Sequence, residues 1–193
     1  QKPRKVLSTL ISELKSCDDF RFYVAFVNQQ GVVSLLQTLM ELEENDVPGQ
    51  VLVSNYLNFT DPVALRKLLA FRNIELRMMT EGDMHSKGYF FRKKSSERYI
   101  IGSSNWTASA LSKNTELNVL IEADTRSSLA EEIDQEFKYH FKASEIVDED
   151  FIRQYQIEFK EAEIKRRSEK RYEVEDLDEV EPNKMQNEAL SSL

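Results

Sequence analysis

Cysteine occurs once in the 193 residues, at Cys17, which excludes an internal disulfide and a cysteine-rich zinc site and fits a reducing cytoplasm. Its simplest use is as a small core residue. No apolar run approaches the roughly 20 residues needed to cross a bilayer, so a membrane enzyme is not expected. The first segment, QKPRKVLSTLISELKS, spreads its apolar residues at helical spacing and lacks the continuous apolar core of an export signal. Histidine is also scarce, with His85 and His140 the two in the chain. No cluster of carboxylates, imidazoles or thiols stands at metal-ligand spacing. The phosphate-binding pattern G-x-x-x-x-G-K-S/T is missing, so this chain is not expected to hydrolyse ATP.

What is present suits one core-bearing domain of roughly 150 residues with something appended. The content is 40% hydrophobic and 10% aromatic, as in globular proteins. The net charge of -8 is unevenly spread. Residues 1–144 carry 18 Lys/Arg against 19 Asp/Glu and residues 145–193 carry 8 against 15, so the acidity belongs to the tail. Between 85 and 113, Lys87, Arg92, Lys93, Lys94, Arg98 and Lys113 stand against one acid, Glu97. That local balance suits a polyanion, and the turn RKKSSER is equally readable as a solvated hairpin tip.

FRFYVAFVN reads as a buried strand, followed by an amphipathic helix in VVSLLQTLMELEEN. GQVLVSN is a second strand, TDPVALRKLLAF a helix capped by Thr60 or Asp61 with Pro62 in its first turn, and NIELRMMT a third strand. This alternation predicts an α/β fold with a mixed, mostly parallel sheet flanked by helices. HSKGYFF and RYIIG form a strand pair, ELNVLIE another strand, and RSSLAEEIDQEFKYHFKAS a helix. Three segments result: a domain over 1–144, a charged helix or linker over 145–175 carrying a thin stripe of Phe151, Tyr155 and Phe159, and an acidic linker over 176–193.

Alternate residues of a strand share a face, so His85 and Lys87 point the same way and Gly102 to Asn105 lie at the far end of the partner strand. Glu116, at the start of ELNVLIE, reaches the same pocket if that strand pairs beside the hairpin. A carboxylate on one imidazole nitrogen orients the ring and leaves the other free for chemistry. The loops SNYLNFTD and TEGDM are expected at the rim, because ligands of open α/β sheets gather at strand carboxyl ends. Tyr56 and Asn58 are therefore rim candidates. Thr107 is expected to cap a short turn, Trp106 to pack against the hairpin, and His140 to be a helix-surface or interhelical residue.

HSKGYFF followed by GSSNWT and ELNV resembles the phospholipase D superfamily, with its His-x-Lys, its Gly-Ser-x-Asn and, in the nuclease branch, a downstream glutamate. The resemblance implies that family's nuclease-like α/β sandwich over residues 5–144. The acid that phospholipases carry soon after the lysine is missing from GYFFRKK, which favours the nuclease branch. It further implies catalytic roles for His85, Lys87, Asn105 and Glu116. His85 forms a phosphohistidine, Lys87, Ser103 and Asn105 hold the phosphate oxygens, and Glu116 fixes the imidazole tautomer. The lysines supply the positive charge, so neither metal nor other cofactor is implied. One motif per chain implies a homodimer with a composite site.

The tail, EPNKMQNEALSSL, resembles the start of a superfamily II helicase motor domain, where Gln186 matches the glutamine that reads adenine. That implies a longer protein with a DNA helicase downstream, ATP as the cofactor of that absent domain, and DNA as substrate and partner. A different reading is a catalytically inactive module that binds DNA or dimerises to serve the helicase. A lipid phosphodiesterase is a third, disfavoured by the single motif.

Overall fold

Local sequence chemistry sets most element boundaries. In the computed structural model, which describes residues 5–82 and 84–178, helix α1 (Val6–Leu14) leads to strand β1 (Asp19–Val24), helix α2 (Gln29–Glu44) and strand β2 (Gly49–Ser54). A 3-10 turn at Tyr56–Asn58, helix α3 (Pro62–Leu69) and strand β3 (Ile74–Met79) follow. Strands β4 (Lys87–Arg92) and β5 (Ser96–Gly102) form the hairpin. Helix α4 (Ala108–Ser112), strand β6 (Asn118–Asp124), helix α5 (Ser128–Ala143), strand β7 (Glu145–Ile146) and helix α6 (Glu149–Asp178) complete the order. Side chains satisfy a first-turn N–H group in α2, α3, α4 and α5, whereas α1 has no side-chain cap. Asn28 accepts from Gly31 N, Asp61 from Val63 N with Pro62 next in line, Thr107 from Ala110 N and Ser127 from Ala130 N. Thr60, the other candidate cap of α3, is buried and donates instead to Ser54 O at 2.7 Å.

The sheet has seven strands in the order β6-β5-β4-β1-β2-β3-β7. It is mixed, as expected, but not mostly parallel. β1–β2 and β2–β3 are parallel, whereas β1–β4, β4–β5, β5–β6 and β3–β7 are antiparallel. The reason lies in the connections: helices cross over between β1, β2 and β3, but the turn after β4 is too short for any crossover and reverses the chain.

Phe20, Phe22 and Val24 of β1 face the larger core with α1, α2 and α3, and Tyr23 faces a smaller one with Phe90, Tyr99, Phe137 and Phe141 under α5. Cys17 is buried in the larger core, as read from its type. The compact unit runs to Phe159, past the boundary expected at 144. Val147, Ile152 and Tyr155 are buried there, and Tyr155 Oη donates to Thr60 O at 2.9 Å, so the thin stripe belongs to the core. The second unit begins at Lys160 and carries an Arg167–Glu163 pair at 2.7 Å, one helical turn apart. Gln186 and the rest of 179–193 lie outside the described residues. Among the described residues no helix is long and apolar enough to cross a membrane.

Candidate active site

The carboxyl ends of β1 and β2, the start of β4, the end of β5 and the start of β6 meet at one edge of the sheet, and the sequence-predicted residues gather there. β4 begins to pair at Lys87, opposite Val24, so His85 stands in the preceding loop and not on the strand face expected for it. The loop is held by Ala25 N donating to Ser86 O at 2.9 Å. His85 is exposed, with its ring edge-on to Tyr56 at 4.6 Å between centroids. The Lys87 side chain turns back toward it, donating to His85 O at 2.5 Å and standing 3.5 Å from Nδ1.

The Gly-Ser-Ser-Asn run divides into structural and site-facing residues. Ser104 is fully buried: its carbonyl accepts from Tyr89 Oη at 3.0 Å, and its hydroxyl accepts from Asn118 Nδ2 at 2.9 Å. Ser103 is exposed and donates to Glu116 Oε2. Asn105 Oδ1 accepts from the backbone N–H of Phe26 at 3.3 Å, which leaves the amide NH₂ as the donor end. Trp106 is fully buried, donates to Gly31 O at 2.9 Å and packs edge-on to Phe22 at 4.8 Å. It packs as expected, but on β1 and the start of α2 where the hairpin was expected, and is closed to a ligand.

Glu116 corrects one expectation. Its carboxylate is engaged by Ser103 and, at 3.4 Å, by Asn114 Nδ2, and not by the imidazole of His85. Its charge acts on Lys87 and Tyr89. Burial holds the Lys87 ammonium below the ordinary lysine value, and Glu116 opposes that shift. Burial, reinforced by Glu116, pushes the Tyr89 phenol far upward, so that it stays a neutral donor. Tyr89, Asn118 and Phe26 were not among the sequence candidates. Strand alternation could have found the first two, since each stands two residues after a candidate, Lys87 or Glu116.

A cleft of about 530 Å³ opens between this edge and α5, with His85, Lys87 and Gly102 on one wall and Leu129, Ile133 and Phe137 on the other. Glu132 and Glu136 also line it. His140 lies beyond, stacked on Tyr23 at 5.9 Å and 3.0 Å from Glu136, which makes it an α5-to-sheet contact. Among the described residues no three His, Cys, Asp or Glu side chains are grouped to hold a metal.

The basic tip is elsewhere. It stands about 17 Å from Lys87 at the far end of β4, at roughly 3.3 Å per residue, and most of its charge is spent internally. Lys93 and Arg98 bind the buried Glu13 at 2.8 and 3.0 Å, and Arg92 binds Glu97 at 2.7 Å.

The family model described as "Cardiolipin synthase, PLD-like domain" matches residues 10–141. The chain belongs to this PLD-like domain family. No curated protein matches the sequence significantly. Among solved structures the PLD-like domain is similar to Nuc of Salmonella typhimurium, a phospholipase D family member, at 17% identity and a TM-score of 0.58, over 72% of this chain and 89% of that one. It is similar to NucT of Helicobacter pylori at 14% identity and a TM-score of 0.57, over 74% and 91%. Phosphatidylserine synthase of Haemophilus influenzae matches at 13% identity and a TM-score of 0.54, over 76% of this chain and 38% of that one. These likenesses establish the PLD-like α/β fold.

Proposed function

We propose that this PLD-like domain is a metal-independent DNA phosphodiesterase that works through a phosphohistidine in a site shared by two copies, and that it forms the N-terminal part of a DNA helicase. The observation that carries the reading is the gathering of His85, Lys87, Ser103, Asn105 and Glu116 at one sheet edge beside an open cleft.

In this reading His85 attacks phosphorus, and the bond to the leaving oxygen breaks as His85 of the second copy protonates the alkoxide. That second histidine then takes a proton from water, which attacks phosphorus and breaks the P–N bond. One chain supplies one such histidine and the two roles need two, which is why a second copy is invoked. Lys87 neutralises the non-bridging oxygens and the Asn105 amide donates to them, and the Ser103 hydroxyl joins when its single proton turns from Glu116 to a phosphate oxygen. Glu116 acts through its neighbours, orienting the Ser103 hydroxyl and keeping Lys87 charged. DNA as substrate rests on the helicase-like tail.

The exposure of His85 favours a second reading, an inactive module that binds DNA or dimerises for the helicase. Incubating the chain with labelled single- and double-stranded DNA in EDTA, beside His85→Ala, separates the two. The first reading expects cleavage and an acid-labile protein–DNA adduct, both lost in His85→Ala. Cleavage unaffected by that substitution overturns it. Salt-sensitive binding with no turnover selects the second.

A further inference from the structure

We propose that the turn following β2 is a stacking platform for an unpaired nucleobase, so that the site prefers single-stranded to duplex DNA. This rests on the reading of the site as one for DNA phosphodiesters. Leu57 and Phe59 are 58% and 40% exposed and stand two residues apart on one short turn. The turn is tied down at both ends. Asn55 N donates to Met79 O at 3.1 Å, Asn58 N to Asn55 O at 2.7 Å, and Thr60 Oγ1 to Ser54 O at 2.7 Å.

The turn touches the phosphate site at two points. Tyr56 packs edge-on against His85, and Phe59 lies 5.6 Å from Phe26, whose N–H holds Asn105. Its apolar tip therefore borders His85 and Asn105, the groups assigned to the phosphate in that reading, and a base flanking such a phosphate falls beside it. Leu57 sits at φ 49 and Asn58 at φ 50. A branched residue rarely adopts that conformation, and such strain gathers at ligand sites. Trp106, which directly follows Asn105, is buried and cannot serve.

An aromatic or apolar ledge without charge offers nothing to a duplex, whose bases already stack on one another. An unpaired base gains by covering it, whatever its identity. The platform thus adds affinity without adding phosphate contacts.

The test uses the full chain in a His85→Ala background, with fluorescence anisotropy of labelled oligothymidine and of a duplex of equal length. Phe59→Ala is expected to weaken single-strand binding roughly 5- to 150-fold, the loss of one stacked base at about 1–3 kcal/mol, with the salt slope unchanged and duplex binding little altered. Phe59→Trp is expected to retain binding, which separates stacking from misfolding. Equal losses on both DNAs, no loss, or no oligonucleotide binding by the parent overturns the platform. So does dissociation of a dimer by Phe59→Ala in sedimentation, which assigns the turn to a second copy. Because binding and not turnover is read, a chain that fails to cleave DNA can still display the platform.

Discussion

Replacing Gly102 by alanine tests whether the glycine of Gly-Ser-Ser-Asn is required by packing. A Cβ there would stand 2.1 Å from Leu117 O, 2.5 Å from Asn118 Oδ1 and 2.7 Å from Asn118 Cα, and the first and last are backbone atoms that can yield only if the strand moves. β5 and β6 must part by about 1 Å, an overpacking cost of about 1–3 kcal/mol. The separation weakens three bonds at the same spot, Ser103 N to Leu117 O at 3.0 Å, Leu117 N to Ser103 Oγ at 3.1 Å and Ser104 N to Asn118 Oδ1 at 3.4 Å. Partial loss, at about 1 kcal/mol net for a whole bond, brings the total to about 3 kcal/mol. For a domain of this size that lowers the melting temperature by about 6–12 °C. The same shift displaces Ser103 and Glu116, and a misplacement of that size costs on the order of 100-fold in turnover. Thermal melts and oligonucleotide cleavage by Gly102→Ala measure the two effects. Gly82→Ala is the control: Gly82 has φ 78 with nothing within 4 Å, so the cost is backbone strain of about 1 kcal/mol with cleavage unchanged. A Gly102→Ala protein that melts and cuts like the parent refutes the packing account.

In the proposed mechanism Lys87 must be charged to hold phosphate, and burial moves its titration below the ordinary lysine value, so kcat/KM is expected to fall on the alkaline side before an ordinary lysine would lose its proton. Glu116 raises that value, so Glu116→Gln shifts the alkaline limb to still lower pH, and a limb that stays in place contradicts the coupling. At the opposite end of the sheet, Arg21→Met strips Glu97 and Asp134 of contacts at 2.8 Å; since Arg92 still pairs with Glu97, the loss is about 3 kcal/mol, read as a lower urea midpoint, and an unchanged midpoint defeats the prediction. Burial pushes the Cys17 thiol up to about 12, so iodoacetamide at mildly alkaline pH should label it after unfolding and leave it intact in the native protein; prompt native labelling would show the site to be open.

Several features were legible in the residues because they depend on near neighbours. Asp61 and Thr107 cap their helices through bonds two and three residues away. Short apolar runs marked the central strands, which are buried on both faces, and period-three-to-four patterns marked the helices, each of which buries one stripe. The pairing of HSK with GSSN was visible for the same reason, as a hairpin brings the start of one strand to the end of the next. Its register, with Gly88 opposite Ile101, places them together.

What the sequence could not specify was how distant elements share space. Whether the cations of RKKSSER serve a ligand depended on Glu13 of α1, which takes Lys93 and Arg98. The partner of Glu116 was decided by the closeness of β6 to Gly102, which presents Ser103 before any imidazole. Tyr56 meets His85, and Phe26 meets Asn105, because β1 lies between β2 and β4. Strand periodicity fixes which way a side chain points but carries no record of strand order, and only that order brings these residues within bonding distance.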